Sequence, residues 1–346
     1  MYADHLAGPE IFHASLFWEK INQLNIEWLK REGLDNFKRT VNNNYFNWMV
    51  STRSVYFRNV SRNFFSTAIR HPRKLLSALF ANVGGNMRHK TYLSDNVEPN
   101  YLQRKIYAWY LLFLYEFVTQ RDEFGLFAKL EEPSVGNPIT INLHGKRVSQ
   151  DISNSYMEYS YIRHSLGNDF SGIKTIAEIG GGYGRLSYLF RLLHGSQGVK
   201  IVLIDLPPAL FVAQWYLGKV FPEAKVMNYR HFTDFSEIEE DFTNSSVCFL
   251  LPHQLELLPD DKLDLLINVS SLQEMSRAQI NHYYELVDKK TRYFYTKQWV
   301  IWENSEDSMS VPAVIYPTKP HWQLVKARLN PVHSEFFEAM FKVSKT

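Results

Sequence analysis

The sequence predicts an α/β fold: a parallel sheet with helices on both faces, preceded by a mainly helical N-terminal region. Three observations carry the prediction. From about Ile173 onward, short β-branched runs alternate with helical stretches, the pattern of a parallel sheet covered on both sides. The first such run opens into a glycine-rich turn, "AEIGGGYGRLSY". Before about Leu130, apolar residues recur at helical intervals instead.

In the N-terminal region, "PEIFHASLFWEKINQLNIEWLKREG" spaces Ile11, Leu16, Ile21, Leu24 and Trp28 as one helix, with Gly33 placed to end it. "YLQRKIYAWYLLFLYEFVTQRDEFG" is a second, more fully apolar helix. "EEPSVGNPITINLHGKRVS" breaks the helical pattern with prolines and glycines and contains a short strand-like "ITINLHG". The boundary falls there, giving a helical region over 1–140 and an α/β domain over 141–346. In the second region "IKTIAEI" is the first strand, followed by a helix from about Gly184 to His194 and a second strand, "VKIVLID". Pro207 and Pro208 suit the first turn of the next helix, "PALFVAQWYLGKVF". "SVCFLLP", "LDLLINV" and "RYFYTKQ" read as three more strands, with "SRAQINHYYELVDKK" as a helix before the last.

Composition narrows the class. The chain has 346 residues, 45% hydrophobic and 21% charged, as soluble globular proteins do, and its 15% of aromatics suits a sizeable core. Cys248 is the one cysteine and lies in an apolar run. That excludes an intrachain disulfide and a cysteine-based zinc site, and it suits a reducing compartment such as the cytoplasm. The first residues lack the basic and apolar segments of a secretory signal. The longest apolar stretch, "IYAWYLLFLYEFV", has 13 residues, short of the roughly 20 that a membrane span needs, so no span is expected. The net charge of +2 is unevenly spread. Between Asp35 and Asp95 there is no acid but there are ten bases: Lys38, Arg39, Arg53, Arg58, Arg62, Arg70, Arg73, Lys74, Arg88 and Lys90. A block of one sign faces something anionic, or is a solvated face balanced by the acidic remainder.

Three kinds of ligand turn compete for "EIGGGYGRLS". A P-loop needs Gly-Lys-Ser/Thr at the helix start, which is missing. The dinucleotide fingerprint is met at Gly180 and Gly182, but Arg185 replaces the third glycine, which serves close packing of helix on strand. The E-x-G-x-G-x-G turn of S-adenosylmethionine-dependent enzymes is met in full by Glu178, Gly180, Gly182 and Gly184. Asp205 ends the next strand, where an acid accepts from ribose hydroxyls; an exposed turn acid or a helix cap is the plainer reading.

The runs "SQDISNSYMEY", "EIGGGYGRLSY", "LIDLPPALFVAQWYL", "FLLPHQLELLPD", "INVSSLQEM" and "YFYTKQW" occur together between about Asn142 and Trp299. In them the chain resembles a bacterial family of sugar O-methyltransferases within the class I methyltransferases, over a little under half its length. The resemblance implies a class I methyltransferase, Rossmann-like sheet that closes with an antiparallel pair, here "HWQLVKARL" and "FFEAMFKV". It also implies S-adenosylmethionine as methyl donor and a saccharide hydroxyl as acceptor, in a nucleotide-activated sugar or a glycan precursor. By position, Glu178, Gly180, Gly181, Gly182, Tyr183 and Gly184 would cradle the donor, and Asp205 with Leu206 would hold its ribose. His253 and Gln254 would flank adenine, although a histidine in a surface loop reads equally well. Asn268 and Ser270, at the end of the fourth strand, would complete the donor side. Asp151, Asn154 and Glu158 would reach the donor's amino-acid end, or else are helix caps and a solvated face.

Methyl transfer to a hydroxyl is an in-line displacement in which the acceptor must lose a proton. A sugar hydroxyl is a very weak acid, so a positioned base or a metal ion is expected. The loop after the fourth strand, "NVSSLQEM", offers Glu274 and Gln273, with Glu274 equally suited to cap the helix at "SRAQ". Lys297 and Gln298, after the fifth strand, are the next acceptor-side groups, and His253 and His231 are further candidates for the base. No residues indicate a metal site, although a divalent ion remains an option. Arg58 and Arg62, four apart in the basic region, would share a helix face and grip an anionic acceptor such as a diphosphate. An RNA or other small-molecule methyltransferase is the rival reading, disfavoured by the lack of a nucleic-acid module and a pI of about 8.4. A donor-binding protein without turnover is the third.

Overall fold

The computed structural model describes residues 1–41, 52–69, 73–83, 89–91, 94–97, 99–304, 309–312 and 316–343. Arg70 and Arg88 of the basic block lie outside the described residues, as do the side chains of Arg73, Lys74 and Lys90. The chain forms two compact units. One holds Met1–Gln23, Tyr161–Asn330 and Glu335–Thr346; the other holds Leu24–Ser160 and Pro331–Ser334. The division therefore does not follow a single boundary near residue 140, because the first 23 residues fold with the sheet.

In chain order the N-terminal helices are α1 (Tyr2–Ala7), α2 (Leu16–Glu32), α3 (Val55–Ala68), α4 (Arg73–Phe80) and α5 (Tyr101–Thr119). The single helix expected from Pro9 is split, with a 3-10 turn at Glu10–Phe12 preceding α2. Ser15 starts α2: its carbonyl accepts from the Glu19 N–H at 2.8 Å and its hydroxyl from the Trp18 N–H at 3.4 Å. Gly33, at φ 69°, stands just past the end of α2 as expected. Helix α5 begins with a capping box, Asn100 with Gln103, and its buried residues all lie between Tyr107 and Val118. Among the described residues no helix is long and apolar enough to cross a membrane. Phe64 of α3 packs on Phe113 of α5 with ring centroids 4.4 Å apart.

Two hairpins follow the pattern β1 (His89–Thr91) with β2 (Ser94–Val97) and β3 (Ile141–Leu143) with β4 (Lys146–Val148). The strand expected at "ITINLHG" is thus the first arm of a hairpin. His144 and Gly145, both at positive φ, turn it back on itself. Helix α6 (Gln150–Ser165) follows. Two members of the basic block are internal here. Lys38 is buried and paired with buried Glu132, and the Arg39 guanidinium donates to the carbonyls of Asn137 at 2.7 Å and Pro138 at 3.3 Å.

The sheet unit continues with β5 (Thr175–Ile179), α7 (Arg185–His194), β6 (Lys200–Ile204), α8 (Pro207–Val220), β7 (Val226–Met227), α9 (Glu239–Asn244), β8 (Val247–Leu250), α10 (Gln254–Leu257), β9 (Leu263–Val269), α11 (Arg277–Lys290) and β10 (Thr291–Trp299). After a hairpin, β11 (Ile301–Asn304) and β12 (Met309–Pro312), come β13 (Gln323–Leu329) and β14 (Phe336–Lys342). The eight-stranded sheet has the order β13-β14-β10-β9-β5-β6-β8-β7. Strands β5 to β10 run parallel to their neighbours, while β14 is antiparallel to β10 and β13 to β14. The expected final antiparallel pair is present. The central strands β5, β6 and β8 are apolar and almost wholly buried, as parallel strands covered on both faces must be.

Candidate active site

Strand β5 stands at the reversal of the strand order. The chain leaves it on one side through β6 and β8 and returns on the other as β9, so a crevice opens at the carboxyl ends of these strands. The register brings Ile179 beside both Ile204 and Asn268, which places the following loops side by side. Those loops hold Gly180 to Gly184, Asp205, Leu206, Ser270, Gln273 and Glu274 among the residues singled out in the sequence.

The glycine turn is tight. Gly180, Gly182 and Gly184 all have positive φ, and a methyl group on Gly180 would meet the Ser271 hydroxyl at 2.2 Å. The turn is tied to the next strand, because the Gly182 N–H donates to Asp205 at 2.7 Å. The Leu206 N–H donates to the other carboxyl oxygen at 2.6 Å. Asp205 keeps part of its surface open but is hemmed in by protein, and this burial pushes its pKa up to about 7 against the pull of the two N–H donors. Glu178 is buried and accepts from Ser187 on the first turn of α7 at 2.6 Å. Tyr183 is also buried, edge-on to Tyr216 with centroids 5.0 Å apart, so it packs the glycine turn against α8.

Glu274 lies in the loop after β9, within a 3-10 turn over Leu272–Glu274. It is not the cap of α11. Ser276 is, with Gln279 completing a capping box. Glu274 is buried, and its Oε2 accepts from the Trp18 indole N–H at 2.7 Å. Burial pushes its pKa up to about 8; the Trp18 hydrogen bond opposes the shift and the Asp205 charge adds to it. The Asp205 charge is thus felt at Glu274 as the smallest of the three influences. Nothing in the sequence pattern marked Trp18, which reaches this loop from the N-terminal segment of the same unit. Tyr316 was missed as well. Its buried hydroxyl has no hydrogen-bond partner among the described residues, and burial together with the Glu274 charge holds its pKa above the ordinary phenol value.

The amides in these loops behave differently. Asn268 is fully buried; its Nδ2 donates to the Ile179 carbonyl at 2.9 Å and the Ser271 hydroxyl at 2.5 Å. Its Oδ1 accepts from Gln298 Nε2 at 2.6 Å and the Leu272 N–H at 3.2 Å. Gln273 and Gln298 are equally enclosed: Gln273 Oε1 accepts from the Trp299 N–H at 2.7 Å, and Gln298 Nε2 also donates to Thr296 at 3.0 Å. Gln254 accepts from the Leu251 N–H and donates to the Arg230 carbonyl, both at 2.9 Å. Asn268 and Gln254, expected on the donor side, and Gln273 and Gln298, expected on the acceptor side, are each held by these protein hydrogen bonds.

Ser270 holds a positive φ of 57° and its N–H donates to the Lys297 carbonyl at 2.8 Å, which links the β9 and β10 loops. Lys297 is buried with its ammonium 5.4 Å from the Phe336 ring centroid. His253 is half-buried, its Nδ1 lacks a partner among the described residues, and burial lowers its pKa. His231 is largely exposed. Arg58, Arg62, Asp151, Asn154 and Glu158 belong to the other unit, the arginines exposed on α3 and the last three on α6. Among the described residues no group of three or more His, Cys, Asp or Glu is disposed to hold a metal ion.

No protein-family model matches the chain, and no curated protein does. Similar solved structures include a SAM-dependent methyltransferase from Aquifex aeolicus, 14% identical over 55% of this chain and 98% of that one, with a TM-score of 0.32. Another is the magnesium protoporphyrin IX methyltransferase of Synechocystis PCC 6803 with bound SAH, 10% identical over 56% of this chain and 86% of that one, TM-score 0.38. A third is a protein from Pyrococcus horikoshii OT3, 12% identical over 54% of this chain and 91% of that one, TM-score 0.36. The fold assignment rests on this chain's own strand order and register. Parallel strands around a central switch, closed by an antiparallel pair, form the class I methyltransferase sheet.

Proposed function

We propose that the protein is an S-adenosylmethionine-dependent O-methyltransferase whose acceptor is a sugar hydroxyl, in a nucleotide-activated sugar or a glycan precursor. The observation that carries the reading is Glu274: a buried carboxyl in the loop after β9, beside the switch point of the sheet, held by Trp18. The glycine turn, with Gly180, Gly182 and Gly184 all at positive φ, fits a ligand that lies against the backbone. Asp205 fits the donor's ribose, because each of its oxygens accepts one backbone N–H and retains a lone pair. When bound, the donor supplies a methyl group on a sulfonium, and the electrons of the broken carbon–sulfur bond stay on sulfur.

In this reading Glu274 accepts the acceptor's hydroxyl proton as the new oxygen–carbon bond forms. A base with a raised pKa is better matched to so weak an acid than an ordinary glutamate. Both Glu274 and Asp205 ionise more readily beside a positive charge, so a cationic ligand prepares the base that the reaction needs. Trp18 fixes the direction in which the carboxyl points. Lys297 and the Tyr316 hydroxyl are the remaining polar groups proposed for the acceptor side. The sugar itself is supported by the resemblance of the six runs to sugar O-methyltransferases. The test is mass spectrometry of saccharides from cells with and without the gene. Loss of one methyl-for-hydrogen increment from a single sugar supports the reading, and unchanged saccharides overturn the sugar acceptor.

A further inference from the structure

The unit built around α3, α4 and α5 carries a surface that the reaction does not use. Helix α3 shows one stripe to solvent, made of Arg58, Arg62, Phe65, Ser66 and Ile69. By helical rise, Arg62 and Arg58 lie about 10 and about 16 Å along the axis from Ile69, so the stripe runs from basic to apolar. Phe65 is 51% and Ile69 83% exposed. In α4 all four large apolar side chains are exposed: Leu75 at 42%, Leu76 at 54%, Leu79 at 68% and Phe80 at 82%. This is not a frayed helix. Its backbone is held from the other side, where the Trp109 indole donates to the Ala78 carbonyl at 2.9 Å. The Lys105 ammonium donates to the carbonyls of Leu79 at 2.9 Å and Ala81 at 2.8 Å. The scaffold thus presents apolar side chains to water while their backbone is anchored.

The charge around the patch says what covers it. The interval from Asp35 to Asp95 has ten bases and no acid. Lys38 and Arg39 are internal, and among the described side chains Arg53, Arg58 and Arg62 are exposed. A protein partner is met by charges of both signs around an apolar centre, whereas an anionic bilayer asks for bases alone beside an apolar wedge. We propose that the α3–α4 surface docks the protein reversibly on an anionic lipid bilayer. Ile69, Leu75, Leu76, Leu79 and Phe80 enter the boundary between headgroups and acyl chains, and Arg58 and Arg62 lie at the level of the headgroup phosphates. Arg58 and Arg62 then serve location rather than acceptor binding.

Co-sedimentation of the full chain with vesicles tests this, independently of any methyl transfer. Binding is expected to vesicles of phosphatidylcholine mixed with phosphatidylglycerol, to weaken with salt, and to be lost on phosphatidylcholine alone. Leu79→Glu with Phe80→Glu, and separately Arg58→Glu with Arg62→Glu, should each weaken it about tenfold or more. All four side chains are exposed, so the melting temperature should hold; if the first pair melts early, Phe80→Ser alone takes its place. Equal sedimentation with both lipid mixtures, or binding indifferent to both pairs of substitutions, overturns the proposal. So does a dimer in light scattering that Leu79→Glu with Phe80→Glu abolishes, since the patch would then join two copies of the chain.

Discussion

The loops at the carboxyl edge of the sheet carry amides and carboxyls at nearly adjacent positions, and the structure uses the two in opposite ways. Asn268, Gln298 and Gln254 bond the frame through their side chains, as does Gln273 through its Oε1, and all four are buried. Asp205 and Glu274 are under-served: two N–H donors reach the first and one indole the second, and burial holds both pKa values far above those of ordinary carboxylates. An amide both donates and accepts, so it can tie three loops together without a charge to solvate. A carboxyl can only accept when ionised, and enclosing it in protein costs free energy unless a ligand completes its surroundings. The frame is therefore neutral and saturated, and the two carboxyls are acidic and short of partners.

If that division is right, the largest effect belongs to Glu274→Gln. The substitution keeps the shape and removes the acceptor of the proton. Removing a general base lowers the rate about 10²–10⁴-fold, or roughly 3–5 kcal/mol of barrier. Donor affinity should stay within a few-fold. Single-turnover methylation by the variant and the wild type, each with and without chelator, measures this. Turnover near wild type would break the comparison, and partial rescue of the variant by divalent ion would recast Glu274 as a metal ligand.

Asn268→Ala should do the opposite. It leaves the Leu272 N–H unpaired and takes one partner each from Gln298 Nε2 and the Ile179 carbonyl, at ~1–3 kcal/mol for a group left buried and unpaired. The melting temperature should fall, with donor affinity and rate falling together because the glycine turn and the Glu274 loop share this staple. A stable Asn268→Ala protein with only its donor affinity reduced would return Asn268 to the ligand side of the comparison. Asp205→Ala comes next. It should weaken donor binding by roughly 1.5–3 kcal/mol for each charged hydrogen bond lost, as calorimetry reads it, with little loss of stability. Unchanged affinity would remove Asp205 from the site.

The sequence made part of this site legible for a physical reason. A turn that needs positive φ three times within five residues leaves only glycine as an unstrained choice, so Gly180, Gly182 and Gly184 announce themselves, and the strand spacing then finds Asp205. The alternation of strands and helices exposed the parallel strands in the same way, while the closing pair "HWQLVKARL" and "FFEAMFKV" was implied by the resemblance. Position along the chain does not reveal which polar groups are already spent. Asn268 and Gln273 stand where a ligand contact would stand, yet their partners come from β5 and β10. The split at Ser15 and the return of the first 23 residues to the sheet unit were equally hidden, because helical periodicity continues across the break. Trp18 was invisible for that reason. It is 256 residues from Glu274, and only the folded unit brings them together.

The smallest predicted effect discriminates best between holding a carboxyl in place and merely filling space. The Trp18 indole N–H stabilises the charged form of Glu274 and so lowers its pKa, against the stronger upward push of burial. Trp18→Phe keeps most of the apolar bulk and removes the donor, so the Glu274 pKa must rise. A base works when deprotonated. The acid limb of the kcat profile should therefore move to higher pH, by on the order of one unit, equivalent to about 1.4 kcal/mol. Near neutral pH the variant should be slower by about that factor of ten, and the deficit should shrink as pH rises past the shifted limb. Loss of packing alone would lower the rate by the same factor at every pH. Asp205→Asn supplies the opposite sign, because the Asp205 charge raises the Glu274 pKa and its removal should bring the limb to lower pH. Carbon-13 detection of the Glu274 carboxyl, assigned by its disappearance in Glu274→Gln, reads both shifts without an acceptor in the tube. Two variants that move the same titration in opposite directions would establish that Trp18 and Asp205 set the proton affinity of this one group. A titration that neither variant moves would leave Trp18 as packing and Glu274 as an isolated buried acid.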